Sequence, residues 1–332
     1  MIIIKTPFRI SFLGGGTDHP LWYREHGGAV ISTTINKYAY ISCRKMPPFF
    51  EWYHKIGYSK IECVNSTEDI THPLVRESLK YMEIKDRMEI TYNADLPGRS
   101  GLGTSSAFTV GLLQALHGLK GEIISKEKLA WAAIYVEQKM VGDHVGSQDQ
   151  VIAAYGNLNH IVFGKGDTFQ VNPLIIPKAR LKNLQDSLML FFTGISREAS
   201  EIEKEKLKNI DTKRREFSHL QDLVEEGLNV LNSNNDLRLF GKLLHEGWIL
   251  KRSLSRDTSS PKVDEVYDLA IKAGAVGGKL LGAGGGGFVC LFVPPEKQLK
   301  VKETLKKLIH VPFRFENLGS RVIHYQDSND WE

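Results

Sequence analysis

Leu96-Pro97-Gly98-Arg99-Ser100-Gly101-Leu102-Gly103-Thr104-Ser105-Ser106-Ala107 runs straight into the apolar periodicity of a helix expected from Ala107 to His117. Glycines at 98, 101 and 103 permit positive φ and let a ligand approach the backbone closely, while Thr104, Ser105 and Ser106 stand where the helix begins. Unpaired N–H groups in that first turn and the positive end of the helix dipole attract oxyanions, and the hydroxyls offer further hydrogen bonds or a magnesium ligand. The segment therefore suits a polyphosphate. It is not the common P-loop, which needs a lysine before its Ser or Thr, so another group must neutralise the phosphate charge. A glycine-rich turn with a serine cap would use the same residues, and spacing alone does not separate the two readings.

The surrounding chain has 332 residues, long enough for two domains that share a cleft. Apolar residues make up 42% and charged residues 25%, the composition of an ordinary globular protein. A formal charge of +4, spread along the chain, argues for a small anionic ligand and against a nucleic-acid surface. Cys43, Cys63 and Cys290 lie far apart without CxxC spacing, which gives neither a zinc site nor a disulfide framework and fits a reducing cytoplasm. The start, MIIIKTPFRI, lacks the pattern of a signal peptide, and no run of about 18 apolar residues marks a membrane span.

Up to about residue 185, strand-like runs at Ile2 to Phe12, Ala29 to Ile35, Tyr38 to Arg44 and Met88 to Tyr92 mix with helical periodicity at Ala107 to His117 and Leu129 to Val141. After the strand-like LMLFFTG at 188 to 194, charged helical segments follow at about 197 to 209, 213 to 232, 236 to 255 and 262 to 273. A glycine-rich turn then leads into the strand-like FVCLFV at 288 to 293, which Pro294-Pro295 ends before a last helix at about 296 to 309. The expected class is α+β, with one domain over 1–185 and a second over 186–332.

Two carboxylates stand out. Glu137 adjoins Ala133, Val136 and Met140 and so borders the buried face of its helix, where a charge needs a partner. Asp149 follows Ser147, and Ser147 with Gln150 makes an S-x-x-Q capping pattern that puts Asp149 in a first helical turn, where its ionised form is favoured. By itself an acid there stabilises a helix more often than it catalyses.

PGRSGLGTSSA resembles the phosphate loop of the GHMP kinases, named for galactokinase, homoserine kinase, mevalonate kinase and phosphomevalonate kinase. Pro7-Phe8-Arg9-Ile10-Ser11-Phe12-Leu13-Gly14-Gly15-Gly16-Thr17-Asp18 is similar to that family's first motif, and Gly278-Lys279-Leu280-Leu281-Gly282-Ala283-Gly284-Gly285-Gly286-Gly287 to its third. The last segment also fits GxGxxG formally, but a dinucleotide loop needs a helix after it, and FVCLFV is strand-like. Three motifs in order cover nearly the whole chain. The resemblance implies a ribosomal protein S5 domain 2-like N-terminal domain and a ferredoxin-like C-terminal domain, with ATP and acceptor meeting between them.

It also implies roles. Pro97, Gly98, Gly101, Leu102, Gly103, Thr104, Ser105 and Ser106 would bind ATP, and Ser105 with Glu137 would hold Mg2+, with Thr104 the substitute one residue away. GSQDQ is similar to the GIMDQ of galactokinases, which makes Asp149 the catalytic aspartate, and Arg9 falls where the family holds a cation beside the transferring phosphate. Arg9, Gly15, Gly16, Thr17, Asp18, Asp149, Arg197, Gly284 and Gly285 would line the acceptor site. A phosphate already on the substrate would need cations, for which Arg197, Lys251 and Arg252 are the candidates, although charged residues on helices are usually solvated. Gly15-Gly16 replaces the Glu-His of galactokinases, which leaves room for a larger or phosphorylated acceptor. FRISFLGGGTD, SREAS, HEGWILKRSLS and GGKLLGAGGGGF together resemble D-glycero-D-manno-heptose 7-phosphate kinases. The expected activity is thus a cytoplasmic, ATP-dependent sugar kinase acting on small molecules, with a homodimer left open. The alternatives are another sugar 1-kinase, for fucose, a uronic acid or an N-acetylhexosamine, and a catalytically silent sugar-binding regulator.

Overall fold

The structure, a computed structural model, describes residues 1–195, 205, 209–210 and 212–326. Arg197 and most of the helix expected at 197–209 lie outside the described residues.

A nine-stranded sheet is built around two long neighbours, β1 (Ile2–Leu13) and β2 (Gly28–Lys45). Alternation around Asn36 and Lys37 reads as two strands, but β2 is continuous, and a register shift between Pro7 and Phe8 absorbs the polar pair. The far edge of β2 is shared: β6 (Leu158–Gly164) pairs with Gly28 to Thr33, and β5 (Met88–Ala94) with Ala39 to Lys45. Beyond β5 lie β3 (His54–Gly57) and β4 (Ile61–Val64), and β7 (Thr168–Pro173) closes the other end by pairing with β6.

The helices α2 (Pro73–Tyr81), α3 (Thr104–Leu119), α4 (Lys126–Tyr135) and α5 (Gln148–Tyr155) cover one face of this sheet. α3 is apolar all round because it is the buried centre of that layer. Its glycines allow the contact, since a methyl at Gly111 would come within 2.4 Å of Ile41 Cδ1 and one at Gly118 within 2.4 Å of Ile2 Cδ1.

A second, four-stranded antiparallel sheet has the order β11 (Ile309–His310), β8 (Leu188–Phe192), β10 (Phe288–Phe292), β9 (Gly277–Leu280). Among the helices of this half are α7 (Arg214–Asn232), α8 (Arg238–Leu254) and α9 (Pro261–Ala273), following α1 (Pro20–His26) and α6 (Lys178–Asp186) in the chain. The charged, amphipathic sequences of α7 to α9 bury one stripe each, as their spacing predicts. The last helix, α10 (Gln298–Thr304), is shorter than its sequence pattern predicts and ends before β11. The architecture is α+β.

The two halves share an apolar cluster in which Phe8, Ile10 and Phe12 of β1 meet Leu190, Phe288 and Phe292 of the small sheet. The chain then returns to the large sheet, where β12 (Phe315–Glu316) pairs with β2 and β13 (Arg321–Tyr325) with β1. Among the described residues no helix is long and apolar enough to cross a membrane.

The tight α3 contact reverses the usual effect of filling a helical glycine. Gly111→Ala is expected to lower stability by about 1–3 kcal/mol through overpacking, instead of the gain of about 0.5–1 kcal/mol seen at exposed helix positions. Urea unfolding measures the sign, and a stabilised variant would show that the sheet relaxes around the helix.

Candidate active site

The phosphate loop joins β5 to α3, and its backbone turns at Arg99, Gly101 and Gly103, all with positive φ, whereas Gly98 is exposed with open space where a side chain would stand. Gly103, with φ of 70°, is the residue before α3, and no side chain caps the helix there. The first-turn N–H groups of α3 are thus left for a ligand to satisfy.

Arg9 reaches this point from β1. Its Nε donates to Asp149 Oδ1 at 2.7 Å and its Nη2 to Asp149 Oδ2 at 2.6 Å, while Nη1 donates to Gly101 O at 2.6 Å. Its backbone N–H also donates to Leu102 O at 3.1 Å. The Arg9 side chain is 6% exposed and that of Asp149 23%, so the buried cation locks the loop while the carboxylate stays partly open to solvent. A methyl at Gly103 would lie 3.1 Å from Arg9 Cγ and 3.4 Å from Asp149 Oδ2, which places this pair directly at the start of α3.

The first motif ends in a turn that positions α5. A methyl at Gly14, whose φ is 80°, would fall 1.9 Å from Ala29 O, so only glycine fits. Thr17 is wholly buried, and its hydroxyl contacts Gly14 O at 2.8 Å and Ala29 O at 2.9 Å; it shapes the turn and does not face an acceptor. Asp18 accepts from Gly16 N–H at 2.8 Å and from Gln148 N–H at 3.2 Å, which ties Gly15-Gly16 to the first turn of α5. That carboxylate takes the place of the cap predicted from sequence. Ser147 makes no side-chain cap, its hydroxyl lying instead 3.2 Å from Gln138 Nε2, and Gln150 turns to Glu137.

Glu137 lies where α4 widens into a π-helical turn, Val136–Val141, the kind of local irregularity that often marks a functional position. It is almost completely buried, not at a border. Oε2 accepts from Ser106 Oγ at 3.0 Å and from Gln150 Nε2 at 2.8 Å, and Oε1 is buried without a partner. Burial pushes this carboxyl up to about 7, against hydrogen bonding from Thr109, Gln150 and Ser106 that pulls it down. The hydroxyl that meets Glu137 directly is that of Ser106, whereas Ser105 is exposed and Thr104 is buried.

The third motif is the loop of the β9–β10 hairpin, pressed backbone to backbone on the phosphate loop. Methyls at Gly101 and Gly282 would come within 2.3 Å of Leu281 O and 2.4 Å of Gly101 Cα, and one at Gly287 within 2.2 Å of Ser100 O. Phe288 N–H donates to Ser100 O at 3.2 Å. Gly284 abuts Thr258, and the Gly285 N–H donates to Thr258 O at 3.0 Å, so this end of the loop packs on the turn after α8. Lys251 is buried and donates to Gly282 O, and Arg252 pairs with Asp264 at 3.2 Å. Both therefore brace structure, and Arg197 lies outside the described residues.

Sequence reasoning gave no role to Gln148 or Lys279, and it gave Gln150 the wrong one. Only their adjacency to Asp149 and to the third motif signalled them.

Residues 72–157 match the N-terminal domain of the GHMP kinases, and residues 222–310 match the GHMP kinase C-terminal domain. The chain belongs to the GHMP kinases. These kinases use ATP, and the chain is accordingly a phosphotransferase with an alcohol group as acceptor. It is 29% identical over 315 residues, 91% of this chain and 92% of the relative, to a D-glycero-alpha-D-manno-heptose 7-phosphate kinase of Campylobacter jejuni. A galactokinase of Pyrococcus furiosus is 24% identical over 92% of both chains. The crystal structure of a D-glycero-D-manno-heptose 1-phosphate kinase from Bacteroides thetaiotaomicron superimposes with a TM-score of 0.80 at 24% identity, covering 98% of this chain and 100% of that one. The three motifs of this GHMP kinase thus meet one another, the first and third both touching the loop before α3.

The buried Glu137 gives a pH dependence with a definite sign. Its native carboxyl holds a proton up to about 7, whereas in the unfolded chain it releases it near 4.5. The native state thus binds more protons in that window, so its contribution to ligand-free stability is greatest below the lower value and declines as pH rises through the higher one. Chemical denaturation between about pH 4.5 and 7.5 is expected to show this loss in the wild type and its absence in Glu137→Gln. Parallel profiles would mean that Glu137 is already ionised in the native protein.

Proposed function

We propose that this GHMP kinase transfers the γ-phosphoryl group of ATP to the anomeric hydroxyl of D-glycero-D-manno-heptose 7-phosphate, giving the 1,7-bisphosphate. Such a product lies on the way to nucleotide-activated heptose for surface polysaccharide, made in the cytoplasm. The observation that carries the reading is the Arg9–Asp149 pair set against the uncapped start of α3, with Gly15-Gly16 one hydrogen-bonded link away through Asp18. The resemblance to the Campylobacter heptose 7-phosphate kinase along nearly the full length of both chains supports the substrate.

In this reading the N–H groups of Thr104, Ser105 and Ser106 hold the phosphates, and Pro97, Gly98, Gly101, Leu102 and Gly103 shape the loop that delivers them. Asp149 orients the acceptor hydroxyl and accepts its proton, using lone pairs that Arg9 does not occupy. Arg9 lies beside the oxygen that attacks and offsets charge on the transferring group.

The donor set fits magnesium. Glu137 Oε1 is a buried carboxylate oxygen without a partner, and serine hydroxyls stand at the adjoining helix start. No group of three or more His, Cys, Asp or Glu among the described residues forms a dedicated metal cage. Mg2+ is commonly held by one or two protein groups together with substrate phosphates and waters. Glu137 and the Ser105 hydroxyl would hold it, and when bound it neutralises charge on the phosphates.

ATP consumption with a panel of free sugars and sugar phosphates tests the substrate. A heptose 7-phosphate is expected to lead, and equal turnover of fucose or galactose would contradict that assignment while leaving the kinase intact. For the mechanism, Asp149→Asn is expected to lose at least about a hundredfold in kcat. Near-normal turnover by that variant would remove Asp149 as the proton acceptor.

A further inference from the structure

Beside Asp149, three polar side chains that the proposed mechanism does not use converge on one glycine. A methyl added at Gly15 would lie 3.6 Å from Ser11 Oγ, 3.6 Å from Gln148 Nε2 and 4.0 Å from Lys279 Nζ. These side chains come from β1, from the first turn of α5 and from β9, so both halves of the molecule contribute. Lys279 is held in place by donating to Phe12 O at 2.9 Å.

Ser11 Oγ and Gln148 Oε1 are both buried without a hydrogen-bond partner. Such groups are rare in native proteins and are costly unless something satisfies them. All three residues are more than nine-tenths buried, with 6% exposure for Ser11, 8% for Gln148 and 6% for Lys279, where β1, α5 and β9 meet. The atoms that face this position suit a hydroxyl: the Ser11 hydroxyl can accept its proton or donate to it, and the Gln148 amide N–H and the Lys279 ammonium can donate to its oxygen.

We propose that Ser11, Gln148 and Lys279 form a polar niche over Gly15 that receives a hydroxyl group of the acceptor sugar, and that these three residues set which acceptor the enzyme takes. This rests on the sugar-kinase reading above and deepens it. Gln148 and Asp149 are neighbours in the first turn of α5, so the same helix start holds both the niche and the carboxylate. The absence of a side chain at position 15 then has a function, because a side chain there would occupy the site.

Gly15→Ala tests the niche cleanly, since its backbone is not strained and the added methyl meets its neighbours only at ordinary contact distance. Ser11→Ala and Gln148→Leu remove the polar partners. With whichever sugar the panel shows to be turned over, each variant is expected to raise the acceptor KM about tenfold or more while the KM for ATP stays within about twofold. Single-deoxy forms of that sugar add a second readout: the wild type is expected to discriminate against one of them, and Ser11→Ala or Gln148→Leu to lose that discrimination. Unchanged acceptor KM in Gly15→Ala and Ser11→Ala would overturn the proposal and leave the niche to water. If the sugar turned over is not a heptose 7-phosphate, the substrate reading fails and the niche is tested on that sugar all the same. No turnover of any sugar would overturn both.

Discussion

The structure depends on one guanidinium. Arg9 uses all three of its nitrogens, two on Asp149 and one on the Gly101 carbonyl, while its backbone binds Leu102. A buried arginine without such partners would be strongly destabilising, so strand β1, the phosphate loop and helix α5 must come together in one arrangement to satisfy it. The same arrangement brings a carboxylate to the positive end of α3. The group that solves the burial problem thus also sets a guanidinium beside a loop that has no lysine of its own.

Around that ion pair, the glycines act through what they leave out. The phosphate loop and the β9–β10 loop touch backbone to backbone at Gly101, Gly282 and Gly287, so the two halves of the molecule are joined at the site itself. The apolar cluster shared by β1 and the small sheet fixes the halves beneath it. Hydrophobic burial supplies the bulk of the adhesion without directionality, and the hydrogen bonds of Arg9 and Asp18 define the register.

Much of this was legible in the sequence. The start of α3, the strand after the third glycine motif and the place of Asp149 in a first turn all follow from local pattern, because turn chemistry and periodicity are written in neighbouring residues. What was not legible depends on partners far along the chain. The capping pattern at Ser147 and Gln150 gave way because Asp18, about 130 positions earlier, caps α5 instead, which freed Gln150 for Glu137. The π-helical turn moved Glu137 from an expected border into the interior, where the Ser106 hydroxyl meets its carboxylate. Lys251 reads as a substrate cation in isolation, yet in the fold its ammonium meets the Gly282 carbonyl. The return of β12 and β13 to the first sheet is a long-range pairing that their short, ordinary sequences do not announce.

The central claim is that the uncapped N-terminus of α3, beside Arg9 and Asp149, is where the transferred phosphate resides. A crystal structure with magnesium and a non-hydrolysable ATP analogue addresses it most directly. The triphosphate is expected to accept hydrogen bonds from the backbone of residues 104–106, with its terminal phosphate next to Arg9. A nucleotide bound elsewhere, with that helix end still open to solvent, would contradict it.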